Sequence, residues 1–432
     1  MRIAIAGFGA EGKANYEYWN TPENEVVIVD EREIPADELP IDANVIMGEE
    51  AFTRLNDFDM VVRTAGLAPY KITTDGKIWS ATNEFFARCA EKEITIIGVT
   101  GTKGKGTTSS LIVSLLRAAG KTVHLVGNIG QPALEVLPDV QSDHIVVYEL
   151  SSFQLWDLER SPHVAVVLMI EPDHLNVHAD FEDYVGAKAH IATEQRTVDR
   201  IVYNATNTYA VKIAQSSPGQ LLPFPSERTA HVRNNYFYYG DTELCDTANL
   251  LLPGQHNVEN ALAAITAVWS WVQEPAVIAE GLRSFVGLPH RLELVRELNG
   301  ISYYNDSFSS AAGATVAAIR AFTAPEIVIL GGIDKGADFR ELASVIKQAP
   351  NVKQLIIIGE IRHKLADTLR QNGVDRPMEV TDMQTMAEIV AIASKAAVSG
   401  DIVILSPACA SFDMFKNFYD RGDQFRSIVQ GL

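Results

Sequence analysis

An α/β fold in three domains is what the sequence predicts: a Rossmann-like N-terminal domain (residues 1–93), a P-loop, ATPase-like central domain with a mostly parallel sheet (94–288), and a Rossmann-like C-terminal domain (289–432). Three observations carry this reading. The 432 residues exceed one compact core at about 100–200 residues per domain. Strand-length apolar runs alternate with helix-length segments, the pattern of a sheet covered by helices. Two of the runs lead straight into glycine-rich turns of the kind that hold phosphate at a helix N-terminus.

The first run, RIAIAG, is followed by Gly7, Gly9 and Gly12 in G-x-G-x-x-G spacing, and then by VVIVD, a strand ending in Asp30. Glycines there let a backbone approach a diphosphate, and an acidic residue at that distance suits a ribose hydroxyl. NAD or another diphosphate nucleotide satisfies the pattern equally, and so does a tight turn with no ligand. The central domain opens with ITIIGVTGTKGKG, a strand that enters a loop and then the apolar-periodic helix SSLIVSLLRAAGK, ended by Gly120. HIVVYEL, VAVVLMI and RIVYNA supply further strands. After GLPHRLELV, a third set contains EIVILGG, QLIIIGE and DIVILSPA.

Composition narrows the partners. A formal charge of −19 argues against a nucleic-acid binder, so an anionic ligand must be held by local cations. Cys89, Cys245 and Cys409 form no C-x-x-C pair, which fits a reducing cytoplasm and excludes a readable zinc knuckle or disulfide framework. MRIAIAGFGAEG enters a strand pattern at once and does not read as an export signal. The longest apolar runs fall well short of the roughly 20 residues that span a bilayer, so no membrane association is expected.

The loop Gly101, Thr102, Lys103, Gly104, Lys105, Gly106, Thr107, Thr108 lies between a strand and a helix, the context a phosphate cradle requires. Its backbone N–H groups would face ATP phosphates, with Lys105 as the point charge. In the common P-loop a hydroxyl directly follows the lysine and binds Mg²⁺. Here Gly106 intervenes, so the hydroxyl ligand is Thr107 or Thr108, and Thr107 is preferred. Glu149 ends a strand where such sheets place ligands, and a carboxylate there suits Mg²⁺. His174 and His178 are four apart but lack an H-E-x-x-H pattern, which weighs against zinc. Asn257 and Asn260 share one face of a helix start, where their amides suit an adenine edge or, for Asn257, a helix cap.

GTKGKGTT resembles the ATP-binding loop of the Mur ligase and folylpolyglutamate synthase superfamily. Further motifs follow in the family's order: GNIGQP, YELSSFQL, GQHNVENALAA, GLPHRLE, NDS, GGIDKGADF and LSPACASFDMFKNFYDRG. The resemblance implies an ATP-dependent ligase that joins an amino acid to a carboxylate through an acyl phosphate. Its implied substrates are UDP-N-acetylmuramoyl-L-alanine and an acidic amino acid, D-glutamate favoured over L-glutamate, with ATP and Mg²⁺ as cofactors. The resemblance makes Glu149 and His174 metal ligands, with Asp173 beside them. It makes Lys188 a carbamylated lysine supporting the metal, which requires a neutral amine when CO₂ adds. Arg291 and Asp306 would reach the ATP phosphates and ribose. Lys335, Ser411 and Phe418 would bind the incoming amino acid, and Asn128 would position the muropeptide. Gly12, Asp30, Glu31 and Arg32 would hold uridine diphosphate rather than NAD. A monomer is expected.

One departure touches specificity. Family members that add D-glutamate commonly carry a Lys after Asn-Asp-Ser and a Thr two residues on, whereas this chain has Phe308 and Ser310. A cation near the amino-acid site is missing, which leaves open which acidic amino acid is added. An NAD-dependent oxidoreductase leaves the second phosphate loop unexplained, and a non-catalytic nucleotide-binding module leaves Glu149, His174 and Lys188 unexplained.

Overall fold

The computed structural model describes residues 1–128, 130–334 and 336–432. The chain divides into two compact units, Met1–Leu250 with Val258–Phe285, and Leu251–Asn257 with Val286–Leu432.

The first unit holds two parallel sheets. Strands β1 (Arg2–Ala6), β2 (Glu25–Asp30), β3 (Asn44–Met47), β4 (Met60–Arg63) and β5 (Lys77–Ser80) are ordered β3-β2-β1-β4-β5. Next come β6 (Thr95–Thr100), β7 (Val123–Gly127), β8 (Ile145–Glu149), β9 (Val164–Val167), β10 (Arg200–Asn204) and β11 (Gln220–Phe224), ordered β11-β10-β9-β6-β8-β7. Their central strands β1, β2, β4, β6, β8 and β9 are almost wholly buried and mostly apolar, as in parallel sheets covered by helices on both faces, whereas the edge strands β3 and β11 are largely exposed. In the second sheet β6 lies between β8 and β9, so the chain winds away from it in both directions. The loop after β6 therefore opens at the topological switch point, where α/β sheets bind ligands.

Helix Ala81–Glu91 falls before the expected boundary at residue 93, yet it packs on the core of the second sheet. Phe85 meets Tyr148 edge-on at 5.6 Å between ring centroids. The apolar face of that helix is satisfied by either neighbour, and only packing chooses between them. Sequence alternation also gave no antiparallel meander, but β12 (Ala230–Arg233), β13 (Tyr236–Tyr239) and β14 (Thr242–Asp246) form one. Asn234 and Asn235 turn its first hairpin with φ of 52° and 63°, a pair of left-handed residues that a two-residue hairpin loop demands.

The second unit contains β15 (Glu293–Leu298), β16 (Ile301–Asn305), β17 (Glu326–Gly331), β18 (Val352–Ile358), β19 (Met378–Val380) and β20 (Ile402–Leu405), ordered β15-β16-β20-β17-β18-β19. Only β15 runs antiparallel, joined to β16 by the Asn299-Gly300 turn.

A buried ion pair ties β4 to the segment after β8. Arg63 is fully buried and grips Asp157 with two bonds, Nε to Oδ2 at 2.8 Å and Nη2 to Oδ1 at 2.7 Å. Its remaining donors reach the carbonyls of Leu67 at 2.8 Å and Phe153 at 2.9 Å. Removing one partner of such a network strands the rest, so Arg63→Ala is expected to cost about 3–5 kcal/mol, read as a lowered Tm in thermal unfolding.

At the start of β17, Glu326 is buried and its Oε1 accepts from Asn351 Nδ2 at 2.6 Å, while Oε2 has no partner among the described residues. Burial pushes its pKa up from 4.5 to about 8. The folded chain holds this proton while the unfolded chain releases it, so stability falls as pH rises from about 4.5 to about 8. Glu326→Gln is expected to leave Tm nearly unchanged at pH 5 and to stabilise the protein by about 2 kcal/mol or more at pH 8. Equal effects at both pH values would show that Glu326 does not titrate in that window.

Candidate active site

The loop after β6 is shaped by close approach. Gly104, the residue before helix Lys105–Ala118, has a φ of 84°, and a Cβ there would lie 2.4 Å from Asn260 Oδ1. At Gly101 a Cβ would lie 2.7 Å from the Leu168 Cβ. Thr102 anchors the loop to the segment after β9: its N–H donates to Met169 O at 2.8 Å and its hydroxyl to Glu171 O at 3.0 Å, with the Tyr184 hydroxyl also 3.0 Å away. Lys103 is exposed and pairs with Glu171 at 2.6 Å. Lys105 Nζ lies 3.0 Å from the carbonyls of both Gly101 and Thr102, inside the loop. The two threonine hydroxyls differ: Thr108 is buried and donates to Asn260 Oδ1 at 3.2 Å, whereas Thr107 is only half-buried.

Register brings the other groups to the same end of the sheet. Glu149, at the end of β8, pairs with Val99 of β6 on one side and Gly127 of β7 on the other, and it is buried. Asn128 is exposed directly after β7 and donates its N–H to the Glu149 carbonyl at 3.3 Å. His174 is exposed in the loop after β9, at a φ of 55°, with Asp173 Oδ2 3.7 Å from its Nε2.

Lys188 arrives from helix Phe181–Thr193 and is fully buried. Its Nζ lies 3.3 Å from Thr100 Oγ1, 3.0 Å from Gly101 O and 4.7 Å from the centre of the Tyr184 ring. Burial first, and then repulsion from Lys105, hold its pKa well below the usual lysine range. Two lysine amines thus share the Gly101 carbonyl, and one of them is disposed to be neutral.

The donor set fits a hard cation bound beside a phosphate: a half-buried hydroxyl (Thr107), a strand-end carboxylate (Glu149) and an imidazole (His174), around a loop whose glycines leave no room for side chains. Among the described residues, no group of three or more His, Cys, Asp or Glu forms a metal cluster.

The N-terminal turn uses its residues largely within itself. Gly7 has a φ of 93°, and a Cβ on Gly12 would lie 2.1 Å from the Gly7 carbonyl, so Gly12 serves close packing of turn on helix. Asp30 accepts from the Phe8 N–H at 2.8 Å, the Arg32 N–H at 2.9 Å and the Arg32 guanidinium at 3.2 Å. Those bonds outweigh burial and lower its pKa. Arg32 is left exposed on this brace, and Glu31 pairs with Lys71 at 3.1 Å.

In the second unit, Asn257 Nδ2 donates to the Pro253 carbonyl at 2.7 Å. Asp306 is buried, and its carboxylate accepts from Leu292 N at 3.1 Å, Ser309 Oγ at 2.6 Å and Ser406 Oγ at 2.7 Å. Burial raises its pKa to about 6 against those bonds. A ribose hydroxyl reaching Asp306 would have to compete with three internal donors. Arg291 places its guanidinium 3.8 Å over the Phe308 ring. Ser411 is buried, and Phe418 begins the last helix. Lys335 lies outside the described residues.

Residues 99–268 match the model of the Mur ligase middle domain, and residues 290–409 that of the Mur ligase glutamate ligase domain. The chain is 36% identical over 406 residues to UDP-N-acetylmuramoylalanine–D-glutamate ligase of Clostridium tetani, spanning 90% of this chain and 86% of that protein. The chain belongs to the Mur ligase family. The enzyme of the same name from Acetivibrio thermocellus is 37% identical over 410 residues, spanning 91% of this chain and 87% of its own. The crystal structure of MurF ligase from Thermotoga maritima in complex with ADP shares the fold, with a TM-score of 0.61 at 14% identity over 99% of this chain and 94% of that one.

In this Mur ligase one support was missed by sequence reading. His178 is fully buried and links Asp183 Oδ2, 3.0 Å from its Nδ1, to Ser152 Oγ, 3.0 Å from its Nε2. Asp183 also accepts from Trp156 Nε1 at 3.2 Å, and Trp156 stacks on the His178 ring at 4.1 Å. This relay fastens the segment after Glu149 to the loop carrying His174. Its local signals were legible: Ser151 and Gln154 form a capping box, and Asp180 caps the helix that carries Asp183.

Proposed function

We propose that this Mur ligase joins D-glutamate to UDP-N-acetylmuramoyl-L-alanine in an ATP-dependent step of peptidoglycan precursor synthesis. The relatives that carry that name span most of the chain. The observation that carries the chemistry is the meeting of Lys105 and buried Lys188 on the Gly101 carbonyl, each 3.0 Å from it.

The loop Gly101–Thr108 binds the ATP phosphates through its N–H groups, with Lys105 as the cation on the outer ones. Thr107, Glu149, His174 and carbamylated Lys188 would hold Mg²⁺. That ion, when bound, supplies positive charge beside the transferring phosphoryl group. The alanyl carboxylate oxygen attacks the γ-phosphorus and the bond to ADP breaks, giving an acyl phosphate. The amine nitrogen of D-glutamate, deprotonated, attacks the acyl carbon, and phosphate leaves as the amide forms. Asn128 orients the muropeptide; Gly12, Asp30, Glu31 and Arg32 take the uridine diphosphate, with Arg32 as the exposed cation. Asn257, Asn260, Arg291 and Asp306 serve ATP, and Lys335, Ser411 and Phe418 the amino acid. A cytoplasmic monomer suits a soluble nucleotide-linked substrate, and among the described residues no helix is long and apolar enough to cross a membrane.

ATP-dependent phosphate release with UDP-N-acetylmuramoyl-L-alanine, comparing D-glutamate, L-glutamate and other amino acids, tests the reading. Release with D-glutamate alone is expected. Release with another amino acid keeps the mechanism and moves the specificity, and release with none, from protein that binds ATP, overturns the muropeptide reading.

A further inference from the structure

Tyr70 stands 65% exposed in the short turn Pro69–Lys71 between β4 and β5, yet its hydroxyl is not left to water. It donates to the Val177 carbonyl at 2.8 Å, 107 residues away along the chain. Its ring meets Trp156 edge-on, with 6.1 Å between centroids and 76° between planes. The side chain is therefore fixed both at its polar tip and along its apolar body.

The acceptor belongs to the loop that carries His174. His174 has a left-handed φ of 55°, a backbone that a non-glycine residue keeps only where its surroundings hold it. Its carbonyl accepts from the N–H groups of Val177 and His178, both at 3.0 Å, which closes a single turn. Tyr70 takes hold of that turn at Val177. From the other side, Trp156 stacks on His178 at 4.1 Å, and the Phe153 ring lies 4.9 Å from the His174 ring. Next to Tyr70 in the chain, Lys71 pairs with Glu31 at 3.1 Å, and Glu31 is read above as part of the uridine diphosphate site. Glu31, Lys71 and Tyr70 thus run from the nucleotide turn to the His174 loop.

An exposed ion pair and an exposed hydrogen bond each contribute little while both of their ends move, because ordering the ends offsets the gain. A substrate that fixes Glu31 and the Pro69–Lys71 turn removes part of that ordering cost. The Tyr70 hydroxyl then holds the Val177 carbonyl more often, and the substrate shifts the loop only as far as this difference allows.

We propose that Tyr70 is a positioning residue that couples the UDP-substrate site to the His174 loop, ordering the loop when the nucleotide-linked substrate is in place. The proposal rests on the ligase reading above and gives Tyr70 no contact with the reacting atoms.

The test is amide hydrogen exchange at Val177 and His178, with and without saturating UDP-N-acetylmuramoyl-L-alanine, in the unaltered chain and in Tyr70→Phe. Phenylalanine keeps the ring beside Trp156 and removes only the hydroxyl. In the unaltered chain the substrate is expected to slow exchange at both amides about 2- to 10-fold, the span of one hydrogen bond, and in Tyr70→Phe to leave it nearly unchanged. A merely structural tether predicts instead the same loss of protection in Tyr70→Phe with and without substrate, and that result overturns the proposal. So does an unaltered chain that binds the substrate with no slowing at Val177 and His178. Either leaves the ligase reading intact. If the unaltered chain does not bind UDP-N-acetylmuramoyl-L-alanine, the ligase reading has failed and this proposal falls with it.

Discussion

Lys105→Met is expected to lower ATP-dependent phosphate release by about 10²–10³-fold or more while leaving the fold intact. Lys105 Nζ is held inside the loop by two carbonyls at 3.0 Å, and its charge is aimed where phosphoryl oxygens gather negative charge. Methionine keeps the aliphatic stem and its packing but removes the charge. Because the lost interaction strengthens as the phosphoryl group transfers, kcat should fall more than affinity for ATP. Thermal unfolding within a degree or two of the parent and a kcat reduced less than about tenfold would remove Lys105 from the chemistry.

Lys188→Ala is expected to be as damaging, for a different reason. A fully buried lysine whose pKa is held well below the usual range offers a free amine for addition of CO₂: the N–C bond forms, a proton leaves, and the neutral amine becomes an anionic carbamate. That would place a negative charge beside Lys105. ¹³C-labelled bicarbonate should give a carbamate resonance in the parent that is absent in Lys188→Ala. Depletion of CO₂ should slow the parent and leave the variant unaffected. A parent without the resonance and with full activity in CO₂-free buffer would exclude the modification.

Much of the loop was readable along the chain because its determinants are local. Gly101, Gly104 and Lys105 sit between a strand and a helix whose apolar periods are both explicit in the sequence, and a phosphate cradle is built from contiguous backbone. Glu149 was legible as a strand end for the same reason. Lys188 was singled out only through the family resemblance, because nothing in the sequence around it distinguishes a buried amine from a solvated one. Its environment comes from Thr100, Gly101 and Tyr184, two of which lie far away in sequence.

Polar residues divided in a similar way. Asp30 and Asp306 both read as ligand contacts from their motifs. The structure shows their oxygens engaged by Phe8 and Arg32, and by Leu292, Ser309 and Ser406. Sequence spacing gives a carboxylate's place on a strand or turn, but not the donors that arrive from other segments. The Ser152–His178–Asp183 relay escaped notice because its members belong to a helix cap, a loop and another helix, whose proximity is set by packing.

By itself the sequence determined the α/β class, the two phosphate-type turns, the family and the order of its motifs, since these rest on short-range periodicity and contiguous backbone. Only the tertiary structure decided that helix Ala81–Glu91 packs on the second sheet, that Thr108 turns inward while Thr107 is half-buried, that Lys188 is dry, and that Arg291 lies on Phe308. Each of those depends on burial and on side chains meeting across long stretches of chain, where the free energy of desolvation and packing is fixed by the fold as a whole.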